Sequence, residues 1–255
     1  MSILEKDLIV FDFDGTLNES KVPIDNEMDE LLVRLLKKRK VAIISGSGFN
    51  YFKINILDVF HCPTELFENL FLFPTSSTRF YRFDGEWKEI YADEMTIEER
   101  QKIKEAFEQA YKDINYQHPA ELFGEVVEDR GTQVTFSALG QQAPLDLKRK
   151  WRETQDRRPE LIKALEKYLP DFEVKMPGVT SIDVTRKGID KAYGIKKIEE
   201  IIGVPVAKMI FIGDALYEGG NDYAVKRTGV DTVAVANPTE TKVLLRQWLE
   251  EIEKE

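Results

Sequence analysis

The first apolar run, in DLIVFDF (residues 7–13), has no polar alternation from Leu8 to Phe11, the pattern of a strand buried on both faces. DNEMDELLVRLLKKR follows with Met28, Leu31, Leu32, Leu35 and Leu36 at the spacing of one helix face. KVAIISGS predicts a second buried strand over Val41–Ile44, and NLFLFP a third. Strand, helix, strand in this order predicts a parallel sheet with crossover helices.

The rhythm then changes. YRFDGEWKEIYA predicts a hairpin turning at Asp84-Gly85. TIEERQKIKEAFEQAYKDI predicts a charged amphipathic helix, and ELFGEVVEDRGTQVTFSAL two alternating strands. RRPELIKALEKYL adds a helix with Leu161, Ile162, Leu165 and Leu169 on one side, and FEVKMPGVTSIDVTRK two more strands. The parallel pattern returns with the helix DKAYGIKKIEEIIG and the buried strand KMIFIGD. A helix is then expected at GGNDYAVKRTG, a strand at DTVAVAN and a closing helix at KVLLRQWLEEIEKE. The fold class is α/β: a parallel-sheet core, residues 1–81 and 187–255, interrupted by an α+β domain over residues 82–186.

Composition narrows the function. The 255 residues are 42% hydrophobic and 32% charged, with a formal net charge of −10. Such acidity disfavours non-specific binding to nucleic acid, whose phosphates need neutralising. There is no apolar run of about 18 residues to span a membrane. MSILEKDLIVF lacks the basic region and cleavage site of a signal peptide. With Cys62 as the single cysteine, a cytoplasmic protein without a disulfide is expected. Neither a P-loop nor a GxGxxG turn is present, which removes the ordinary nucleotide-binding readings. His61 and His118 lie away from every motif that follows.

Candidate chemistry falls at the predicted strand ends. Asp12, Asp14 and Thr16 follow the first strand and Ser45 the second. Lys191 opens a helix, with Lys187 as its competitor, and Gly213-Asp214 and Asn221-Asp222 close the set. Open α/β sheets bind ligands outside the carboxyl ends of their strands. Carboxylates gathered there repel one another unless a divalent cation lies among them, and an oxygen-only set suits Mg²⁺.

FDFDGTL resembles the DxDGT signature of the haloacid dehalogenase (HAD) superfamily. Ser45 in IISGS, Lys191 in GIDKAYGI and the stretch IGDALYEGGNDYAV follow in that superfamily's order. The position of the insert resembles the type IIB (Cof-type) group, with a Rossmann-like core and a C2B cap. RGTQVTFSALG, TSIDV, GIDKAY and GGND are similar to the phosphomannomutase branch.

The resemblance implies roles. Asp12 is the nucleophile that takes the phosphoryl group and Asp14 the acid and base. Ser45 and Lys191 bind the transferring group, with Thr16 and Gly46 beside it. Asp12, Asp14 (through its main-chain carbonyl) and Asp214 hold Mg²⁺, and Asn221 and Asp222 orient its waters or Lys191. In the cap, Arg130, Gln141, Ser181 and Asp183 stand where that branch binds the distal end of a sugar phosphate. The cap is expected to open and close over the site.

The chain departs from the branch at two points. Gln141 replaces an arginine, and a segment carrying a further arginine is missing. Lys148, Arg149 and Lys150 are the nearby basic residues that could compensate. Fewer cap arginines mean a weaker grip on a second phosphate. The reading therefore puts a Mg²⁺-dependent phosphohydrolase of a small sugar phosphate or phosphomonoester first. A phosphomannomutase-like phosphotransferase comes next, and a non-catalytic phosphate-binding protein last. The expected partner is a small phosphorylated substrate, with no nucleic acid and no membrane, and the protein is expected to be a monomer or homodimer.

Overall fold

The first apolar run forms β1 (Leu8–Asp12), buried along its whole length. Its side chains feed two cores in alternation: Ile9 and Phe11 point into one, Leu8 and Val10 into the other. In this computed structural model, which describes residues 3–19 and 22–254, β1 is an interior strand of a seven-stranded sheet. Helix α1 (Asn26–Leu36) returns the chain to β2 (Lys40–Ile44), which pairs in parallel with β1. After β2, a short helix α2 (Phe49–Phe52) runs on into a wider π turn over Lys53–Leu57. β3 (Leu70–Phe73) then pairs in parallel with β2.

The predicted hairpin is present as β4 (Arg79–Phe83) and β5 (Trp87–Ala92), but it adds to the core sheet beyond β3 rather than to the insert. The cause is aromatic. Phe80 stacks on Phe73 with ring centroids 4.6 Å apart, and Tyr81 stacks on Phe49 at 3.9 Å. The chain divides into two compact units, one of Met1–Ala92 with Asp190–Glu255 and one of Asp93–Ile189. The borders expected after residues 81 and 186 thus fall after 92 and 189.

In the second unit, α3 (Ile97–Asp113) opens on a capping box, with Thr96 and Glu99 each accepting from the other's main-chain N–H. β6 (Val127–Asp129) and β7 (Val134–Ser137) follow, then α4 (Leu145–Gln155) and α5 (Arg158–Tyr168), then β8 (Phe172–Lys175) and β9 (Ser181–Arg186). α4 escapes sequence reading because its buried side chains are Lys148 and Trp151, too few for an apolar stripe. The strands form an antiparallel sheet in the order β6-β7-β9-β8. Val134, Phe136, Ile182 and Val184 join Phe107 and Leu161 in one core. Thr135, Ser137, Ser181 and Asp183 alternate with them and so occupy the opposite, polar face.

The first unit resumes with α6 (Lys191–Ile202), which ends on Gly203 at φ 72°, and with β10 (Met209–Gly213), parallel to β1. The helix expected at GGNDYAVKRTG is only a 3₁₀ turn over Tyr223–Thr228. Left-handed Gly229 stops it, and the chain must enter β11 (Asp231–Ala234) two residues later. α7 (Pro238–Ile252) closes the unit, capped by the Asn237 side chain. α1 and α7 pack on one face of the sheet and α6 on the other. No helix among the described residues is long and apolar enough to cross a membrane.

Candidate active site

β10, β1 and β2 are neighbours, so their carboxyl ends set Asp214, Asp12 and Ser45 along one edge of the sheet. The turn after Asp12 is tight: Gly15 N–H donates to Asn18 O at 2.8 Å, and Gly15 has φ +86°. A Cβ at Gly15 would stand 2.6 Å from Asp214 Oδ2, so only glycine lets this turn lie against the β10 loop. Thr16 is buried, with its hydroxyl 3.5 Å from Asp12 Oδ2.

Lys191 is the first residue of α6 and is buried, whereas Lys187 is exposed. The Lys191 ammonium donates to Asp12 Oδ1 at 2.5 Å and also to Asp222 Oδ1. Asp222 is fully buried, and its Oδ2 accepts the Ala215 N–H at 3.0 Å. Gly213 makes room for it, since a Cβ there would meet Asp222 Oδ2 at 2.3 Å. Asp222 is thereby committed to Lys191 and to the main chain. Asn221, expected beside the metal, is exposed.

Asp12, Asp214 and Asp222 offer oxygens within 4.8 Å of one another. Burial raises the Asp12 carboxyl well above the usual range; Lys191 pulls it down, and Asp222 and Asp214 push it further up. Burial and Asp222 likewise raise Asp214. Burial alone would lower the Lys191 ammonium, but Asp12 and Asp222 outweigh it, so it stays charged. One ammonium against three carboxylates leaves a local excess of negative charge. A cation held by oxygens fits this set, and Asp12 and Asp214 are the side chains with room to hold it.

Ser45 is buried, and its Oγ accepts the Ser47 N–H at 3.1 Å. Half-buried Gly46 lies between them. The Ser45 carbonyl accepts the Ser76 N–H at 2.8 Å, and the Ser47 carbonyl the Thr75 N–H at 2.9 Å. Thr75, Ser76 and Ser77 are consecutive non-glycine residues at φ +51°, +56° and +70°. Such backbone is strained, and here it is laced to the Ser45 loop. No residue type in that stretch announces it. Sequence reading also misses Tyr51, whose phenol donates to Asp14 Oδ1.

The residues expected to bind substrate in the insert share the polar sheet face of the second unit. Arg130 donates to Glu128 at 2.6 Å and approaches Gln141 Oε1 at 3.5 Å. Gln141 donates to Thr135 O at 3.1 Å, and the Thr135 hydroxyl donates to Asp183 at 2.8 Å. Ser181 lies two residues along the same face. Lys148 is buried and donates to Gln141 O at 3.1 Å, while Arg149 and Lys150 are exposed.

Burial lifts the Asp183 carboxyl to about 6, against the pull of Arg130 and the Thr135 hydroxyl. A folded value above the unfolded one means stability that is full below about pH 4 and lost as pH rises through about 6. Asp183→Asn removes that loss. Urea unfolding at about pH 5 and about pH 7.5 is expected to show a smaller pH penalty in the variant, by roughly 1–1.5 kcal/mol. Equal penalties in both proteins would refute it.

Solved structures carry the same fold. An N-terminally truncated IMP-nucleotidase of Plasmodium falciparum matches with a TM-score of 0.69 and 18% identity, over 98% of this chain and 72% of that one. A trehalose-6-phosphate phosphatase of Aspergillus fumigatus matches at 0.57 and 17%, over 97% and 93%. The core therefore has the fold of these two proteins. The family model for eukaryotic phosphomannomutase matches residues 28–251, and the chain belongs to that family. It is 27% identical to a phosphomannomutase of Encephalitozoon cuniculi, over 97% of this chain and 95% of that protein. With a phosphomannomutase of Saccharomyces cerevisiae the identity is 24%, over 86% and 84%.

Proposed function

We propose that this protein is a phosphomannomutase, interconverting mannose 1-phosphate and mannose 6-phosphate through a phosphoryl group carried on Asp12. The observation behind this reading is that the family match runs through both compact units, the insert included. That insert is the part which the sequence resemblance links to substrate choice.

An Asp12 oxygen attacks phosphorus, the bond to the sugar oxygen breaks, and Asp14 gives that oxygen a proton. Starting from the 1,6-bisphosphate this leaves a monophosphate; in the other half, Asp14 takes a proton from the free hydroxyl of a monophosphate as that oxygen accepts the phosphoryl group from Asp12, which restores the bisphosphate. Lys191 offsets charge on Asp12 and on the group in transfer, and Asp222 holds Lys191 there. Ser45 binds the phosphoryl oxygens. Mg²⁺ held by Asp12, Asp214 and the Asp14 main-chain carbonyl would supply further charge neutralisation. The polar face carrying Arg130, Gln141, Ser181 and Asp183 is assigned to sugar-phosphate recognition.

One observation favours a second reading, phosphate-ester hydrolysis: Gln141 stands where the resemblance places an arginine. Mannose 1-phosphate, supplied with Mg²⁺ and with or without a catalytic trace of the 1,6-bisphosphate, separates the two. Formation of the 6-phosphate that depends on the bisphosphate is the expected result. Free phosphate as the main product would overturn the mutase reading in favour of hydrolysis.

A further inference from the structure

The residue between the two motif aspartates is Phe13, fully buried. Its ring meets Tyr51 edge-on at 5.4 Å and Phe52 at 5.3 Å, so α2 is docked against the end of β1. That contact brings the Tyr51 phenol to Asp14, where it donates to Oδ1. The Tyr51 end of the segment is fixed as well. Buried Asn55 donates its side-chain amide to Tyr51 O at 2.9 Å, and the Asn55 carbonyl accepts the Ile24 N–H at 3.0 Å. The π turn over Lys53–Leu57 follows at once, a local widening that recurs at functional sites.

We propose that Tyr51 is a positioning residue, which orients the Asp14 carboxyl for proton transfer to and from the sugar oxygens. This rests on the role given to Asp14 above. The seating matters because Asp14 lies on a turn beyond the strand and is only half-buried. Asp12 is gripped by Lys191 and approached by Thr16. Asp14 accepts from a phenol delivered from another element, and that element is fixed by the side chain between the two acids.

The test compares leaving groups in the full chain with Mg²⁺. A sugar oxygen needs a proton to leave, whereas 4-nitrophenolate leaves without one. Tyr51→Phe keeps the ring that packs on Phe13 and removes only the hydroxyl. Turnover of mannose 1-phosphate is expected to fall about 10- to 100-fold with KM within about twofold. The single-turnover rate of 4-nitrophenolate release, which reports only the transfer to Asp12, is expected to fall less than about threefold, because that leaving group needs no proton. In an Asp14→Asn background the same change is expected to add less than about twofold, since the two groups act as one unit.

Equal losses on both substrates, or a loss carried by KM, would make Tyr51 merely structural and overturn the proposal. So would no loss at all. Asp14→Asn read alone separates this failure from failure of the underlying mechanism. If that variant loses the two substrates equally, Asp14 is not the acid, and the assignment falls together with its support. If it loses the sugar phosphate selectively while Tyr51→Phe does not, the role of Tyr51 alone is wrong. Thermal unfolding of Tyr51→Phe close to that of the parent excludes misfolding as the source of any loss.

Discussion

Asp12→Asn is expected to lower turnover on any phosphate ester at least about 10,000-fold, the scale of losing a nucleophile that forms a covalent intermediate. The fold should survive the change. Asparagine matches aspartate in size, and Lys191 keeps Asp222 as a charged partner when Asp12 becomes neutral. Removing one of three crowded carboxylates also relieves the repulsion that helps to raise Asp12 and Asp214. Stability equal to or above that of the parent, with activity gone, is the combined signature. Steady-state kinetics and urea unfolding on the same preparation measure both. Residual turnover within about tenfold of the parent would mean that Asp12 is not the nucleophile.

Lys191→Met carries the second large effect, and here fold and function fail together. The lysine is the charged partner of two buried carboxylates, Asp12 and Asp222. Deleting one side of a buried ion pair strands the other, at a cost of about 3–5 kcal/mol. The stranded carboxylates would rather be protonated than charged. Asp12, already raised by burial, rises further without the ammonium that pulls it down, so the variant should regain stability as pH falls. Turnover should drop about 100- to 1,000-fold besides, because the charge that steadies the transferring phosphoryl group is gone. Urea unfolding at about pH 5 and about pH 8 reads the first effect and turnover the second. A variant as stable as the parent at both pH values would contradict the ion-pair account.

The core strands were legible because each carries its own signal. LIVF, VAII and MIFI are continuous apolar runs, and the acids and glycines that close them mark where strands end. The first motif was legible for the same reason: Asp12, Gly15 and Thr16 act within a single turn. What the sequence hid depends on distant partners. The hairpin of β4 and β5 joins the core because Phe80 finds Phe73 and Tyr81 finds Phe49, and neither pairing shows in the local pattern. Tyr51 lies 37 residues from Asp14 and looks like one more aromatic in a half-buried segment. The left-handed run at Thr75–Ser77 uses residues that ordinarily avoid that conformation, so composition argues against it. Asn221 and Asp222 read as a pair, yet a neighbouring glycine at 213 and the Ala215 N–H draw only Asp222 inward. Gln141 illustrates a different limit. Gln141 and the missing arginine-bearing segment together weighed toward hydrolysis, while the family match across both units weighs toward transfer between hydroxyls.

The claim beneath all of this is that Asp12 carries the phosphoryl group. The direct measurement is an acid-quenched reaction with the mannose 1,6-bisphosphate, followed by digestion and mass spectrometry of the peptide that contains Asp12. One phosphoryl group on that peptide, absent from Asp12→Asn and discharged by adding mannose 6-phosphate, is the predicted result. Isomer formation with no phosphorylated peptide at any quench time, or a phosphoryl group on another residue, would contradict the account.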